Sequence, residues 1–274
     1  MLLTVLIVNY NGAKYLEAAI NSVLSQRCTD VELLVVDGNS KDESVDIIEK
    51  YDNQINWWIS EPDRGQSDAF NKGFSHANGK YLMWLNADDL LTPNSLNAIC
   101  RYLKLHPNVE WLTFNTLIIN EYNLIQRAIK GMGFNSFCAK YYGPQVDSAT
   151  SVFSKNLFER SKKFDLRFEY AMDIDLWLQF INLKSRYRRL NFYVYAFRVH
   201  KGSKTSSDGY ACKPNAKRIE QSKIIQQKND FHPRPIGKYV ALFLKMLISK
   251  PQSIFYSFIW KNKDVKDLIQ KMYS

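Results

Sequence analysis

The sequence predicts an α/β fold in which a mostly parallel central sheet is flanked by helices, and three observations lead to it. Short apolar runs of strand length alternate with segments whose apolar residues recur at helical spacing. Three of these runs, residues 4–9, 31–37 and 81–86, each end in Asn or Asp. Alternation of this kind favours parallel strands joined by right-handed crossovers, and ligands then bind at the carboxyl ends of the strands.

The first elements follow the chain in order. The strand of residues 4–9 breaks at Asn11-Gly12, and apolar residues then recur with a helical period as far as Leu24. Residues 31–37 form the second predicted strand. The spacing from Ser40 to Glu43 is that of a capping box, so it predicts a helix that starts there.

The alternation then continues. A strand through residues 57–59, a turn at residues 61–65 and a helix through residues 69–74 lead to the strand of residues 81–86. Thr92-Pro93 has the residue types of an N-cap and first-turn pair, which predicts another helix.

The second half is less regular. Residues 111–153 are predicted to hold short strands and loops, residues 173–180 a helix and residues 189–197 a strand. From about residue 215 onward the pattern predicts amphipathic helices, and residues 236–260 mix lysine with aromatic and aliphatic side chains.

Composition and charge narrow the class of protein. The chain has 274 residues, 46% hydrophobic and 14% aromatic, which is typical of a packed globular protein. Residues 1–150 carry 12 Lys/Arg against 17 Asp/Glu, whereas residues 151–274 carry 25 against 10. The basic half predicts an anionic partner, either nucleic acid or an acidic membrane surface, although a merely solvated basic face is an equal alternative for any one lysine.

Compartment and cofactor signals are few. The four scattered cysteines are expected to be reduced thiols, and with no leader and no ~18-residue apolar stretch we expect a cytoplasmic protein. No G-x-G-x-x-G follows the first strand, so a nicotinamide cofactor is not expected. No G-x-S-x-G or H-E-x-x-H occurs either.

Asp88 and Asp89 stand side by side after a predicted buried strand. Adjacent carboxylates repel each other unless a positive group lies close, and a hard divalent cation that carries substrate phosphates is one solution. The alternative is a pair of helix-capping aspartates in a solvated turn.

Four segments carry a resemblance to a known family: T-V-L-I-V-N-Y-N-G from Thr4, V-V-D-G-N-S-K-D-E-S from Val35, E-P-D-R-G-Q-S-D-A-F-N-K-G from Glu61 and W-L-N-A-D-D from Trp84. In order and spacing they resemble family 2 glycosyltransferases, over roughly residues 2–205. The resemblance implies the GT-A fold, with a Rossmann-like nucleotide-binding sheet. It divides the chain into a domain of residues 1–205 (a nucleotide-sugar half, 1–110, and an acceptor half, 111–205) and a basic amphipathic helical tail, residues 206–274.

The resemblance implies a binding set for the nucleotide-sugar, in which UDP is the expected nucleotide and GDP and dTDP are left open. Its members are Val8, Asn9, Tyr10, Asn11, Asp37, Asp63, Arg64, Asn71, Asn86, Ala87 and Asp88. Tyr10 and Asp37 would hold the base and ribose. For Arg64 an ion pair with Asp63 or Glu61 is an equal alternative.

A divalent cation, Mn²⁺ or Mg²⁺, is implied at Asp88, with Asp89 as a second carboxylate and His200 as a nitrogen ligand. Asn86 stands where the family's D-x-D motif has its first Asp, so we expect Asn86 to contact ribose and the metal to be held more weakly. The segment around His200 resembles the family's R-x-H-x-x-S motif. Its Arg198 and Lys201 would stabilise the diphosphate.

The segment from Ala171 to Leu178 resembles the family's catalytic-base segment. Asp173 would be the general base, with Met172 in place of the usual Glu, and Asp175 would order the site. The alternative is that both carboxylates complement a helix N-terminus.

The implied reaction is inverting transfer of a hexose or N-acetylhexosamine to a saccharide acceptor, lipid-pyrophosphate-linked, in surface-polysaccharide or O-antigen assembly. The basic tail would attach the protein peripherally to the inner face of the cytoplasmic membrane, or alternatively pack on the domain or form a homodimer. Two other classes are left open: a non-catalytic nucleotide-sugar-binding module, and a nucleic-acid-binding protein supported by charge alone.

Overall fold

The computed structural model describes residues 1–131, 151–202, 216–230 and 260–267. The strands are β1 (Leu3–Asn9), β2 (Val31–Asp37), β3 (Trp57–Ser60), β4 (Tyr81–Asn86), β5 (Leu90–Leu91), β6 (Trp111–Ile119), β7 (Ile125–Ile129), β8 (Ser151–Ser154) and β9 (Tyr187–Arg198). The helices are α1 (Ala13–Leu24), α2 (Ser44–Lys50), α3 (Gln66–Ser75), α4 (Ser95–Leu105), α5 (Lys155–Arg160), α6 (Met172–Asn182) and α7 (Ala216–Lys228), followed by a short 3₁₀ helix, Val265–Asp267.

The strands form one sheet in the order β3-β2-β1-β4-β8-β6-β9-β5, with β7 paired to β6. Strands β3, β2, β1 and β4 run parallel to one another, as the sequence predicts. Strand β8 is antiparallel to both β4 and β6, so β6 and its parallel neighbour β9 point the same way as β4. The α/β fold class is confirmed, and the antiparallel pairings lie in the half where the sequence pattern is less regular.

The position of the central strands in the core explains why their sequences are continuous apolar runs. Strands β1 and β4 are almost entirely buried, as expected for strands covered on both faces. An aromatic stack joins the two halves of the sheet to α6: the Trp177 ring lies 5.5 Å from that of Trp84 and 5.1 Å from that of Trp111, centroid to centroid. Helix α6 is therefore held by packing against both halves.

Two predicted helix starts are wrong, for one physical reason. Ser40 does not cap α2, whose N-cap is Glu43, because its hydroxyl and N–H both bind Asp37. Thr92 does not cap α4, which begins two residues after Pro93 with Asn94 at the N-cap. The Thr92 N–H donates to Val194 and its hydroxyl to Tyr193, so it extends the pairing of β5 with β9. In both cases hydrogen bonds outside the helix take the side chain that the sequence pattern assigns to a cap: Ser40 binds the end of β2, and Thr92 binds β9.

The described parts of the basic tail pack on the domain. Ile225 of α7 is buried against Phe168 and Leu178. The Asn262 N–H donates to the Ile125 carbonyl at 2.7 Å, so the segment of residues 260–267 adds to β7. This matches the packed alternative for these parts, while the domain boundary at residue 205 stays a prediction.

Some of the sequence predictions concern residues outside those that the structure describes. The amphipathic stretch of residues 236–259, together with Cys138 and Cys212, lies outside the described residues. No helix in the described part of the chain has both the length and the apolar character needed to cross a membrane.

Candidate active site

The polar strand ends meet at one edge of the sheet. In the register of the parallel strands Asn9 is level with Asp37, and Val8 is level with Asn86. Arg198, at the end of β9, pairs with the last residue of β6. The structure therefore brings together at one edge the strand-end residues that the sequence predicts there.

Asp37 lies beneath this edge. Its carboxylate is fully buried and accepts hydrogen bonds from Asn9 Nδ2 at 2.7 Å, the Ser40 N–H at 2.9 Å, Ser60 Oγ at 2.6 Å and the Ser40 hydroxyl. These four donors tie the ends of β1, β2 and β3 together. A direct contact between Asp37 and a nucleotide stays a prediction, and the geometry favours a role in holding its neighbours.

The turn after β1 is fixed by the same network. Asn11 has a left-handed backbone with φ 50°, its N–H donates to Ser40 Oγ at 2.8 Å and its Oδ1 accepts from the Lys41 N–H at 2.8 Å. A Cβ on Gly12 would lie 2.2 Å from the buried Asn9 Oδ1, so a larger residue at position 12 would force the Asn9 side chain to move.

Beside the network, three loops meet around Gly38. A Cβ there would lie 2.8 Å from Asp63 Oδ2 and 3.3 Å from Tyr10 Cδ2. The Tyr10 ring is 68% exposed, while the Asp63 Oδ1 accepts from the Gly65 N–H at 2.8 Å. An open aromatic face next to a carboxylate oxygen offers stacking and a hydrogen-bond acceptor, which is what a nucleotide base needs.

Two members of the predicted nucleotide set, Arg64 and Asn71, bind protein groups, and their nucleotide contacts stay predictions. Arg64 forms an ion pair with Asp68 at 3.3 Å. The sequence predicts an ion pair of Arg64 with Asp63 or Glu61 as the alternative, so the predicted partner is wrong. That hydrogen bond lowers the pKa of Asp68. Asn71 binds the backbone of Phe164 through both ends of its amide, at 2.8 and 3.1 Å, which holds the Phe164 loop on α3 and leaves the predicted nucleotide contact without support.

Asp89 is a buried acceptor, so the geometry does not favour its predicted role as a second metal carboxylate, which stays a prediction. Its carboxylate is fully buried and accepts from Asn86 Nδ2 at 2.9 Å, the Arg198 N–H at 2.7 Å and the Tyr195 hydroxyl. Burial, and then the neighbouring charge of Asp88, raises the pKa of Asp89 to about 8. The carboxylate faces the interior, where protein donors occupy both oxygens.

The Asn86 amide is held at both ends. Its nitrogen donates to Asp89 and to the Tyr195 hydroxyl, and its oxygen accepts from Gln66 Nε2 at 3.1 Å. Both ends of the amide thus bind protein groups, and the predicted ribose contact of Asn86 stays a prediction. Ala87 lies against Gly12, since a Cβ added at Gly12 would lie 3.3 Å from the Ala87 Cβ. Gln66 and Tyr195 were missed because only tertiary contacts bring them to Asn86.

Arg198 supports the site from below. Its side chain is 1% exposed, Nε donates to the Asp88 carbonyl at 2.6 Å, and Nη1 donates to the Asn120 carbonyl at 3.1 Å. Its guanidinium also lies 4.6 Å from the centroid of the Tyr15 ring. These contacts do not favour the predicted diphosphate contact of Arg198, because the guanidinium is buried against the peptide that carries Asp88, and that contact stays a prediction. Lys201 is exposed, and its diphosphate role stays a prediction.

Asp88 and His200 form the open pair of the site. His200 Nε2 lies 3.1 Å from Asp88 Oδ2, with the side chains 17% and 36% exposed. Two ligands at right angles on one Mg²⁺, each about 2.1 Å away, lie about 3.0 Å apart, so the pair fits two positions of such a site. Residues 1–131, 151–202, 216–230 and 260–267 contain no group of three or more His, Cys, Asp or Glu that could hold a metal. The other ligands would be diphosphate and water oxygens.

The hydrogen bonds of His200 define its tautomer. The Gly202 N–H lies 3.2 Å from Nδ1, so Nδ1 accepts and Nε2 carries the proton that faces Asp88. For Nε2 to bind a cation, that proton must move and the contact with Gly202 must break. Asp88 fits a cation without such a change, so it is the principal metal candidate.

Asp173 lies in the first turn of α6, partly buried. The helix starts from Ala171, whose backbone is left-handed with φ 56°. Ser67, in the first turn of α3, donates to the Phe168 carbonyl at 2.9 Å and lies 3.2 Å from the Met172 sulfur. The start of α6 is thus tied to the helix that also carries Gln66.

Asp175 has a structural role. It is fully buried and accepts from Lys228 Nζ, Asn229 Nδ2 and Gln179 Nε2, each at 2.8 Å. It ties the first turn of α6 to the C-terminal helix α7, while its predicted role in ordering the site stays a prediction. Neither Lys228 nor Asn229 could be linked to it from the sequence pattern.

Residues 4–159 match the profile of glycosyl transferase family 2. The chain is 26% identical over 289 residues to the GalNAc(5)-diNAcBac-PP-undecaprenol beta-1,3-glucosyltransferase of Campylobacter jejuni, covering 96% of this chain and 89% of that one. It is 28% identical over 198 residues to an uncharacterized glycosyltransferase of Rickettsia typhi, covering 68% of this chain and 60% of that one. The match therefore spans less than two thirds of the length of the Rickettsia relative.

Solved structures share the fold. S. aureus TarS (residues 1–349) in complex with UDP-GlcNAc superposes with a TM-score of 0.67 at 20% identity, covering 83% of this chain and 66% of that one. The mannosyltransferase PcManGT of Pyrobaculum calidifontis, in complex with GDP-Man and Mn²⁺, gives 0.56 at 16% identity, covering 94% and 78%. With a profile match over more than half of its length, the chain belongs to glycosyl transferase family 2 and has the GT-A fold.

Proposed function

We propose that the protein is an inverting glycosyltransferase that moves a hexose or N-acetylhexosamine from a UDP-sugar to a hydroxyl of a saccharide acceptor. One observation carries the proposal: the open Tyr10–Asp63 pocket around Gly38 and the partly exposed Asp88–His200 pair lie at the same edge of the sheet. The first suits a base and the second suits a diphosphate with its cation. The TarS complex with UDP-GlcNAc supports the choice of a UDP-sugar.

In the proposed reaction Asp173 takes the proton of the acceptor hydroxyl. The acceptor oxygen then attacks the anomeric carbon as the bond from that carbon to the diphosphate oxygen breaks. Because the attack comes from the face opposite the leaving group, an α-linked donor gives a β-glycoside. A base in the first turn of a helix whose start is held by Ser67 meets the need for fixed geometry.

Asp88, with His200 after its tautomer change, would hold Mn²⁺ or Mg²⁺. When bound, the cation would supply electrostatic stabilisation of the departing nucleoside diphosphate. Lys201 is exposed and follows His200 in the sequence, and it would add a positive charge to that of the cation. The complex of PcManGT with GDP-Man and Mn²⁺ supports divalent cation use.

The acceptor is proposed to be linked to a lipid pyrophosphate at the inner membrane face, in surface-polysaccharide assembly. The name of the Campylobacter relative and the basic second half support this. Flotation of the whole chain with vesicles of anionic lipid, and with neutral vesicles as a control, tests it. Binding to anionic vesicles alone is expected, and equal recovery with both kinds would contradict membrane attachment.

The deciding experiment has two parts. A thermal-shift panel of UDP-, GDP- and dTDP-sugars, with and without Mn²⁺, identifies the donor. Asp173→Asn should then keep the donor-induced shift and lose transfer, whereas Asp46→Asn, the same change in the first turn of α2, should keep both. Normal transfer by Asp173→Asn would rule out Asp173 as the base.

A non-catalytic binding module is the second candidate, favoured by Asn86 and Met172 at positions where the family has carboxylates. It predicts a donor-induced thermal shift with no release of UDP. A nucleic-acid-binding protein rests on charge alone and predicts a steep salt dependence of RNA or DNA affinity with no response to UDP.

A further inference from the structure

We infer that α7, in the basic C-terminal region, is a positioning element for the catalytic base, and that Gln221 and Lys228 are its positioning residues. The inference rests on the proposed function, because it concerns the geometry of Asp173. It assigns a part of the chain beyond the family profile, which ends at residue 159, to the working of the site.

Gln221 holds the loop that leads into α6. Its Nε2 donates to the Arg167 carbonyl at 3.1 Å, and its Oε1 accepts from the Tyr170 N–H at 2.9 Å. The side chain is buried, so water does not replace these bonds easily. Tyr170 directly precedes the left-handed Ala171, so Gln221 fixes the backbone just before the helix that carries Asp173 begins.

Lys228 fixes the same loop and the helix itself. Its ammonium lies 2.9 Å from Asp165 Oδ2 and 2.8 Å from Asp175 Oδ2, joining the start of the loop to the first turn of α6. Hydrogen bonds from Arg167, and further from Lys228, hold the pKa of Asp165 well below its usual range. Because Asp175 is fully buried, removal of Lys228 would leave its charge partly uncompensated.

An opposing contact holds the other side of the loop. Ser67 of α3 binds the Phe168 carbonyl, while Ile225 of α7 packs on the Phe168 ring. The loop is thus fixed between the helix at the nucleotide half and α7. A left-handed non-glycine residue such as Ala171 has a backbone cost that surrounding contacts must offset. Loss of the α7 contacts is therefore expected to let the first turn of α6, and with it Asp173, move.

The test measures UDP release from UDP-glucose and from UDP-GlcNAc in Mn²⁺, with water as the acceptor from which Asp173 takes the proton. Gln221→Leu in the full chain is expected to lower the rate constant ~100-fold, because displacement of a reacting group by about 1 Å has that effect. The thermal shift caused by UDP and Mn²⁺ is expected to stay unchanged. In an Asp173→Asn background, Gln221→Leu should cause no further loss, since a group that acts through Asp173 has nothing left to position.

A second pair of variants guards against a folding defect. Lys228→Met should lower the rate and Lys228→Arg should restore most of it, because arginine keeps the charge between Asp165 and Asp175. Lys223→Met, the same change at an exposed position of α7, should have no effect.

Two results would overturn this inference and leave the proposed base intact. The first is full activity of Gln221→Leu and Lys228→Met while Asp173→Asn is inactive. The second is an equal fold-loss from Gln221→Leu in the wild-type chain and in the Asp173→Asn variant. Full activity of Asp173→Asn would overturn the proposed base and this inference with it.

Discussion

The amide nitrogen of Asn86 lies 2.9 Å from the carboxylate of Asp89. The residue at the first position of the D-x-D-like motif is therefore a hydrogen-bond donor to a buried carboxylate three residues later. An aspartate at residue 86 would face Asp89 with a second negative charge and without a donor. The amide is thus required by the direction in which Asp89 points.

Asn86→Asp is expected to destabilise the protein by about 2 kcal/mol at pH 8, because it replaces a donor with a like charge beside a buried carboxylate. At pH 5 the loss should be smaller, since the two carboxyl groups can then share a proton. Urea unfolding at both pH values measures it. Asn97→Asp, at an exposed position near the start of α4, is the control and should cost little. An unchanged free energy of unfolding together with tighter Mn²⁺ binding would contradict the assignment of Asn86.

Asp89 predicts a pH dependence of stability with a definite sign. Its pKa is raised from 3.8 to about 8 in the folded protein, mainly by burial. Between those values the folded state holds one more proton than the unfolded state, so the free energy of unfolding falls as the pH rises through this window. In Asp89→Asn that contribution is absent, and the dependence should flatten between pH 5 and pH 8. Urea unfolding at intervals over this range checks it, and identical slopes in both proteins would contradict it.

The fold was largely predictable because its central strands are buried on both faces. Strand β2 has the predicted bounds, Val31–Asp37, because a mostly apolar run of seven residues that ends in a carboxylate has the length and pattern of a buried strand. The two-residue strand β5 was not predicted, because Leu90–Leu91 is a strand only through its pairing with β9, about a hundred residues later. Thr92 was wrongly predicted as a helix cap for the same reason, because its hydrogen bonds go to the distant strand β9.

Less of the site could be predicted. The sequence indicates that Asp88 and Asp89 end a strand, but not that Asp88 is exposed and Asp89 buried, since that depends on Tyr195 and Arg198 from a distant strand. His200 lies beside Asp88, while its role as a metal ligand, which its motif predicts, stays a prediction. Gln221 carries no local signal, because a glutamine on an amphipathic helix has no preferred partner in sequence.

Metal dependence separates Asp88 from its neighbours. Asp88→Asn is expected to abolish the gain in UDP affinity that Mn²⁺ provides, and His200→Ala to reduce that gain ~10-fold, within the range seen when groups around a metal site are removed. Calorimetric titration of UDP with and without Mn²⁺ measures both. His106→Ala, at the exposed end of α4, should leave the gain unchanged. If Asp88→Asn kept the full effect of Mn²⁺, the cation would have to bind elsewhere.

Gly38→Ala tests the proposed base pocket without removing or adding a charged group. The added Cβ would lie 2.8 Å from Asp63 Oδ2 and 3.3 Å from Tyr10 Cδ2, so the carboxylate and the ring must move apart. The backbone of Gly38 does not have a positive φ, so alanine is not strained there by its backbone, and the melting temperature should change little. The Kd for UDP should rise ~10-fold, which corresponds to the smaller costs of overpacking. Because the Asp88–His200 pair is untouched, the fold-gain from Mn²⁺ should persist in this variant. A normal Kd for UDP in Gly38→Ala would place the base away from Tyr10 and Asp63, whereas loss of the Mn²⁺ effect would mean that the two parts of the edge are not independent.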